Sequence, residues 1–226
     1  MARVLVIVEG PTEESFVAGP LYHALVPFAV FLRPIVVGTP GHKGGRVTYQ
    51  RVRNDVLRAL KQDHAAYCST LFDFYGLGND FPSLGQTMHD PASVKVDHLE
   101  KAILRDIVQR IPEFRPDARF IPYIQLHEFE GLLFSDPTVL AAAMFREDLA
   151  PKLHAIRNGF ASPEEINDSP QTAPSKRIIG LNQAYNKVIS GSLAAEQMGI
   201  DVIKESCPRF RAWFERLAAL GVALVR

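Results

Sequence analysis

The sequence predicts an α/β protein with a parallel sheet of about four strands, flanking helices and a helical C-terminal extension. Residues 2–126 alternate between short apolar runs and segments of helical periodicity, as in a parallel sheet with covering helices. The later residues carry only helical patterns. The 226 residues, 47% hydrophobic and 22% charged, form an ordinary globular composition that can bury a sizeable core.

Four apolar segments are expected to form the strands, at residues 3–8, 28–37, 66–74 and 119–126. The first is β-branched and nearly continuous, which is typical of a strand buried on both faces. The second runs into the turn-rich "GTPGHKGG", the third ends on Asp73, and the fourth runs into His127 and Glu128.

Helices are expected at residues 13–25, 47–62 and 96–111, and later over most of residues 127–226. Thr12 can cap the first of them. Residues 15–32 carry no full charge over a length that would suit a membrane span. Because Gly19, Pro20 and Pro27 interrupt this stretch, we predict a buried helix that runs into a strand, and no membrane association.

Charge and cysteine content set further limits. Lys plus Arg and Asp plus Glu both number 25, so any nucleic-acid contact must come from a local basic patch and not from the overall field. Cys68 and Cys207 have no paired spacing, so we expect reduced thiols in a cytoplasmic protein, without disulfide or zinc site. No signal peptide is expected, because Glu9 interrupts the first apolar stretch early.

Carboxylates stand where the predicted strands end. Glu9 follows the first strand and precedes Gly10, Asp73 ends the third, and Glu128 follows the fourth. The carboxyl ends of parallel strands meet at one edge of a sheet, so these acids are expected in one crevice. Crowded carboxylates repel unless a cation lies between them, and hard oxygen ligands suit Mg²⁺ or Mn²⁺. Such an ion can activate water and neutralise a phosphodiester in its transition state.

Structural interpretations stand beside the functional one. Glu13 and Glu14 lie in the first turn of a predicted helix, where the helix dipole favours acids. Asp73 could cap the turn that follows it.

Glu130 lies on an apolar helical stripe, where a carboxylate is costly unless it is paired or binds a metal. Its structural partner would be an arginine such as Arg119 or Arg177. His127, one turn away, could orient it.

Two basic segments could bind phosphate. "GHKGGR" is a glycine-rich loop whose free amides, Lys43 and Arg46 could cradle an anion, although it could also be a solvated loop. "PSKR" offers Ser175, Lys176 and Arg177 before an apolar helix, where Ser175 could instead be an N-cap.

These residues resemble motifs of the Toprim superfamily, which includes primases, topoisomerases and nucleases of the overcoming-lysogenization-defect type. A strand that ends in Glu-Gly with another Glu four residues on, here Glu9, Gly10 and Glu13, resembles the first motif. The second motif is Asp-x-Asp at the end of a later strand. Here "FDFYG" supplies Asp73 but carries Tyr75 in place of the second Asp.

One group within that superfamily is similar over nearly the whole chain: the Toprim-like domain-of-unknown-function family 4276. The segments that carry this resemblance are "VEGPTEE", "TLFDFYGL", "HEFEGLLFSD", "EEIND", "APSKRI" and "CPRFRAWFERL". It implies a Toprim-like, Rossmann-like domain over residues 1–135 with a helical extension over residues 136–226 packed on it. It also implies a metal-dependent reaction on DNA or RNA, and an ATPase partner.

Two functions from different classes follow. The first is a Mg²⁺- or Mn²⁺-dependent phosphodiesterase acting on nucleic acid, with a transition-state clamp from Lys176 or Arg177. Its expected metal ligands and catalytic acids are Glu9, Glu13, Asp73, Glu128 and Glu130. Glu128, Glu130 or Asp80 would replace the ligand lost at Tyr75. The second is a catalytically inactive Toprim fold that serves as a binding or regulatory subunit.

Overall fold

The computed structural model describes residues 1–39, 42–43, 47–84, 91–167 and 171–222, with the backbone alone at residues 39, 42, 43 and 222. It confirms the predicted fold class, a parallel sheet with flanking helices. The strands are β1 Ala2–Val8, β2 Val30–Val36, β3 Gly38–Thr39, β4 His42–Lys43, β5 Tyr67–Asp73, β6 Phe120–Ile121 and β7 Ile124–Gln125.

The main sheet has the strand order β2-β1-β5-β6, and all of its pairs are parallel. β7 continues beside β5, beyond β6. β3 and β4 form a separate antiparallel pair within the segment expected to be a glycine-rich loop. The order places β1 and β5 side by side at the centre of the sheet, so the residues that follow them share one edge.

The predicted fourth strand is wrong in its continuity, because residues 122 and 123 separate β6 from β7. Pro122 has no amide hydrogen to give to a ladder. Two hydroxyls of β5 fill the break: Ser69 Oγ donates to the Ile121 carbonyl at 2.6 Å, and Thr70 Oγ1 accepts from the Tyr123 amide at 2.9 Å. Side chains therefore replace backbone hydrogen bonds where the strand is interrupted.

Twelve α-helices lie within the described residues: α1 Pro11–Phe16, α2 Tyr22–Leu25, α3 Tyr49–Gln62, α4 Ala92–Arg110, α5 Pro116–Arg119, α6 Glu130–Leu133, α7 Pro137–Ala143, α8 Ala150–Arg157, α9 Pro174–Leu181, α10 Ser192–Met198, α11 Ile200–Ser206 and α12 Pro208–Val222. Short 3-10 turns occur at Val26–Phe28, Phe74–Gly76, Pro112–Phe114, Glu147–Leu149 and Pro163–Glu165, and π-helical turns at Val17–Leu21 and Lys187–Gly191. Beyond β7, the described residues form helices and loops, as predicted.

The helix expected over residues 13–25 is broken in its middle. Gly19 leaves the helical conformation, with φ of −102° and ψ of −106°, and separates α1 from α2. Pro20 explains the break, because its ring disfavours a helical conformation at the residue before it.

The core lies on both faces of the sheet. Val4, Val6 and Val8 of β1 pack with α1, α2 and the C-terminal helices, whereas Ile7 packs with α3 and α4. This is the alternation expected of a strand with helices on both faces. α12 is fastened to β5 through Trp213 Nε1, which donates to Ser69 Oγ at 2.9 Å. The division into two domains near residue 135 stays a prediction.

Two smaller expectations concern the membrane and the thiols. Within the described ranges, no helix has the length and apolar character needed to cross a bilayer. Cys68 and Cys207 are both free thiols and both buried, in agreement with the sequence.

Candidate functional site at the carboxyl edge of the sheet

Four acids meet beyond the carboxyl ends of β1 and β5. Val8 pairs with Leu71 in the parallel ladder, so Glu9 and Asp73 leave the sheet at the same edge. Glu13 lies on the buried face of α1, and Glu130 is the first residue of α6. Glu13, Asp73 and Glu130 are all buried, which makes an uncompensated charge on any of them costly.

The Lys187 ammonium lies among these acids. Its Nζ is 3.2 Å from Asp73 Oδ2, 3.3 Å from Glu130 Oε2 and 3.5 Å from Glu13 Oε1. Each pair of these oxygens is therefore at most about 7 Å apart, twice the largest of the three distances. Lys187 opens the π-helical turn Lys187–Gly191, which Asn186 begins by accepting a hydrogen bond from the Ile189 amide.

Glu9 reaches the same crevice by lying against a glycine. A Cβ added to Gly76 would meet Glu9 Oε2 at 2.7 Å and Oε1 at 3.0 Å. Gly76 ends the 3-10 turn that follows Asp73. The absent side chain at position 76 thus makes room for the Glu9 carboxylate beside the end of β5.

Some carboxylate oxygens in the crevice are satisfied and others are not. Asp73 Oδ1 accepts from the Phe129 amide at 2.7 Å, and Glu13 Oε2 accepts from the Gly10 amide at 3.1 Å, as in a capping box. Glu13 thus also has the structural role expected in the first turn of a helix. Four buried oxygens accept no hydrogen bond from any described residue: Glu9 Oε2, Glu13 Oε1, Glu130 Oε1 and Glu130 Oε2.

Burial shifts the protonation of this cluster. Burial and the charges of Asp73 and Glu13 raise the pKa of Glu9 to about 7. Burial and neighbouring acids also raise the pKa of Asp73 to about 6 and that of Glu130 to about 7, although Lys187 opposes both shifts. Burial disfavours the charged form of Lys187, but the carboxylates outweigh it and raise the pKa of its ammonium. One ammonium cannot neutralise four acids, so the crevice carries excess negative charge at neutral pH.

The raised carboxylate pKa values predict that the metal-free protein loses stability as the pH rises. A carboxyl group with a higher pKa in the folded state keeps its proton after the unfolded chain has released it. Its contribution is therefore fully present below about pH 4 and is lost as the pH passes about 7. His127 has its pKa lowered by burial and acts in the opposite sense.

A comparison with Glu9→Gln separates the contribution of the Glu9 carboxyl group from that of His127. In EDTA, the melting temperatures of wild type and variant are expected to be close at pH 4.5 and to diverge by pH 8, with the wild type lower. A constant difference across this range would contradict the assigned shift of Glu9.

The carboxylate of Glu128 contacts the start of α9 and not the ammonium of Lys187. Glu128 Oε2 accepts from the Ser175 amide at 2.8 Å, in the first turn of α9. Ser175 is not the N-cap, the alternative that the sequence left open, because Ala173 holds that position. Lys176 is exposed. Arg177 donates through Nε to the Thr172 carbonyl at 2.8 Å and lies over the ring of Phe160. The side chains of Lys43 and Arg46 lie outside the described residues.

Arg119 and Asp80, two other residues expected at the site, make hydrogen bonds to backbone groups outside the acidic cluster. Arg119 does not pair with Glu130; its guanidinium donates to backbone carbonyls, including those of Leu60 and Ala66. Asp80 Oδ2 accepts from the Gln50 amide at 3.3 Å, in the first turn of α3, and its part as a substitute for the ligand lost at Tyr75 stays a prediction. Glu130, buried beside Lys187, brings the additional carboxylate into the crevice.

Tyr75 and His127 pack against each other beside the acids. Their ring centroids are 5.2 Å apart, and the Tyr75 amide donates to the His127 carbonyl at 3.1 Å. Asn167 donates to the Tyr75 hydroxyl, and its side-chain nitrogen lies 3.4 Å from His127 Nδ1. His127 thus contacts Tyr75 and Asn167. The expected contact of His127 with Glu130 is not formed. Burial lowers its pKa to about 4, so its ring is neutral at pH 7.

The crevice suits a hard divalent cation in its chemistry but does not form a ready metal site. Among the side chains that the structure describes, no group of three or more His, Cys, Asp or Glu is arranged to hold an ion. Lys187 stands between the acids and keeps them at ion-pair distance. The buried carboxylate oxygens without a hydrogen-bond donor are still the ligand type that Mg²⁺ and Mn²⁺ take.

The fold and the crevice together define a class: a parallel α/β protein with a buried acidic site at the carboxyl edge of its sheet. The chain belongs to the family described as Domain of unknown function (DUF4276), whose model matches residues 8–218. This confirms the family-level resemblance, whereas membership of the Toprim superfamily stays a prediction. No curated protein matches the chain.

Two solved structures of the C-terminal region of the OLD protein from Xanthomonas campestris pv. campestris are similar to this chain. The structure phased with mercury is 12% identical, with a TM-score of 0.48, and the alignment covers 100% of this chain and 99% of that one. The structure phased with iodine is 12% identical, with a TM-score of 0.45, and the alignment covers 99% and 97%. At this level of similarity, nothing about chemistry is taken from either.

Proposed function

We propose that this protein is a metal-dependent phosphodiesterase of the Toprim type that acts on nucleic acid. One observation carries the proposal: four buried carboxylate oxygens at the carboxyl edge of a parallel sheet accept no hydrogen bond, and two of them, Glu13 Oε1 and Glu130 Oε2, lie within 3.5 Å of the Lys187 ammonium. Burying so much negative charge is costly for a fold and useful for binding a divalent cation.

Glu9, Glu13, Asp73 and Glu130 would hold Mg²⁺ or Mn²⁺. Such an ion lowers the pKa of a bound water and neutralises charge on a phosphodiester. Glu130 takes the place left by Tyr75 in the Asp-x-Asp motif. Glu128, bonded to the Ser175 amide, supports the site from the start of α9.

The protein's own groups then have distinct tasks. Glu9, whose carboxylate lies beside Gly76 after the end of β5, is proposed to accept a proton from the attacking water. Lys187 has a raised pKa and stays protonated, so its ammonium can offer hydrogen bonds to phosphate oxygens and stabilise the charge that develops in the transition state. Lys187 therefore has the better position for the clamp that the sequence had placed on Lys176 or Arg177.

The remaining assignments rest on the sequence. Lys43, Arg46, Ser175, Lys176 and Arg177 are proposed as phosphate contacts along the bound strand. An ATPase partner and a cytoplasmic location are likewise proposed from the resemblance.

A second candidate is a catalytically inactive binding or regulatory subunit. The position of Lys187 favours it, since an internal ammonium already compensates part of the charge that a metal would neutralise. In the nuclease, the metal must compete with or displace this ammonium. In the inactive subunit, the ammonium is permanent.

Metal-dependent turnover separates the two candidates. Purified protein is incubated with end-labelled single- and double-stranded DNA and RNA in Mg²⁺, in Mn²⁺ and in EDTA, and thermal melting is recorded in the same buffers. The nuclease is expected to cleave at least one substrate with metal alone and to melt higher in Mn²⁺. Neither cleavage nor a melting shift would favour the inactive subunit.

Gly76→Ala is expected to weaken the response to metal with little loss of stability. The new Cβ would lie 2.7 Å from Glu9 Oε2, so the carboxylate must rotate away. The cost is small because this atom ends a flexible side chain, about 1 kcal/mol or less. Thermal melting with and without Mn²⁺ provides the measurement. Gly180→Ala on α9 is the matched control, since its Cβ meets nothing within 4 Å. Equal Mn²⁺ shifts in both variants would argue against Glu9 as a ligand.

A further inference from the structure

Tyr75 is an exposed aromatic ring held rigidly beside the acidic crevice. It follows Asp73 by two residues in the turn Phe74–Gly76, and 37% of its surface is accessible. Its amide is bonded to the His127 carbonyl, its ring packs at a tilt against that of His127, and its hydroxyl accepts from Asn167. A ring restrained at both ends loses little conformational freedom when a ligand packs on it.

The surroundings of Tyr75 argue against a role in the core or in catalysis. The neighbouring Phe74 ring lies 5.9 Å away at 33°, so Tyr75 extends an aromatic surface that begins in the protein and ends in solvent. Its hydroxyl accepts a hydrogen bond from Asn167, so the exposed part of the ring is left for recognition.

We propose that Tyr75 is the stacking platform for an unpaired nucleobase of the nucleic-acid substrate, next to the phosphate that enters the crevice. This inference rests on the proposed function and adds the form of the substrate: single-stranded, or with a base displaced from its stack. Aromatic side chains that accept bases in this way stand beside the channel that carries the backbone.

The charge of the protein gives stacking a larger share of the affinity. The formal net charge is zero, and the crevice itself is acidic, so attraction to phosphates is weak compared with that of a basic protein. A stacked base contributes binding that does not depend on net charge.

Fluorescence anisotropy tests the inference with two probes: a fluorescein-labelled single strand of thymidine nucleotides, and a strand of equal length in which every base is absent. Full-length protein is titrated in Ca²⁺, and turnover is followed separately in Mn²⁺. The variants are Tyr75→Ala, Tyr75→Phe and, as a control on another exposed ring, Phe145→Ala, which is 79% accessible.

The wild type is expected to bind the thymidine strand roughly tenfold more tightly than the abasic strand, the scale of one stacked base. Tyr75→Ala should lose this preference and raise KM by roughly the same factor with little change in kcat. Tyr75→Phe and Phe145→Ala should keep the preference. Because Tyr75 is partly exposed, Tyr75→Ala is expected to remain folded, which thermal melting checks.

The outcomes distinguish this inference from the function on which it rests. If the wild type cleaves nucleic acid with Mn²⁺ but Tyr75→Ala keeps both KM and the preference for bases, the stacking platform is overturned and the phosphodiesterase stands. If the wild type neither binds nor cleaves any strand, the proposed function fails, and the platform fails with it.

Discussion

Glu9→Gln and Asp73→Asn are each expected to abolish Mn²⁺-dependent cleavage while leaving the protein folded. Each change removes one negative charge and keeps the shape of a side chain that would contact the metal. Activity should fall by roughly a hundredfold or more, because even residues that only support metal ligands typically cost 10–100-fold. The assay is cleavage of labelled single- and double-stranded DNA and RNA.

The matched control is Glu14→Gln, on the exposed side of α1. It removes the same charge next to Glu13 without touching the crevice, and full activity is expected. Melting in EDTA should show Glu9→Gln and Asp73→Asn as stable as the wild type or slightly more stable, since each relieves repulsion among crowded acids. Added Mn²⁺ should stabilise the wild type by mass action and these variants much less.

Two results would change the interpretation. A Mn²⁺-dependent melting shift without any cleavage would favour the binding subunit, or an enzyme that lacks its partner. No shift at all, with wild type and Glu9→Gln responding alike, would mean that Glu9 is not part of a metal site.

Among the variants proposed here, Lys187→Met is expected to lower the free energy of unfolding of the metal-free protein most. The ammonium that lies within 3.5 Å of three buried carboxylates disappears, and an apolar side chain of similar length takes its place. Removing one partner of a fully buried ion pair typically costs about 3–5 kcal/mol. Because 39% of the Lys187 side chain is accessible, we expect roughly 2 kcal/mol at pH 8.

The loss should shrink as the pH falls. Asp73 and Glu130, with pKa values of about 6 and 7, gain protons and no longer need the ammonium. Urea unfolding of Lys187→Met at pH 8 and at pH 5 measures the difference, with Lys176→Met, on the exposed first turn of α9, as the control. A loss of equal size at both pH values would contradict the ion-pair assignment.

The stabilisation of Lys187→Met by added Mn²⁺ provides a second test of the same ion pair. Without a competing ammonium, Mn²⁺ should stabilise Lys187→Met more than it stabilises the wild type, although cleavage should be lost. If Mn²⁺ stabilises neither protein, the cluster is a structural ion-pair network.

The sequence predicts that Glu9 and Asp73 meet at one edge of the sheet, because each follows or ends a strand with a strong apolar pattern. Glu9 and Asp73 end strands with strong apolar patterns, and parallel strands bring such ends to one edge. Glu130 was visible as a carboxylate on an apolar stripe. The burial of the strands and the packing of helices on both faces followed from the same patterns.

Lys187 could not be found in this way, because no strand end or motif marks it and it stands far along the chain from the acids that it contacts. Several buried acids need a basic side chain as a partner, but the sequence contains 25 lysines and arginines and does not show which of them it is. Arg119 was a wrong choice because its guanidinium satisfies several carbonyl oxygens at once, including that of Phe114. The fourth strand is shorter than expected because Pro122, which has no amide hydrogen, interrupts it between β6 and β7.

The ammonium of Lys187 also has a consequence for the order in which the chain is synthesised. It bonds to Asp73 across 114 positions of sequence, and Trp213 reaches Ser69 across 144. On the ribosome, every acid of the crevice emerges before Lys187, the base that compensates it, and Trp213 of α12 emerges after Lys187. A nascent chain that ends before Lys187 would therefore carry these acids without the ammonium, and their mutual repulsion would oppose the closing of the crevice. A product truncated before Lys187 would thus lack the assembled acidic site.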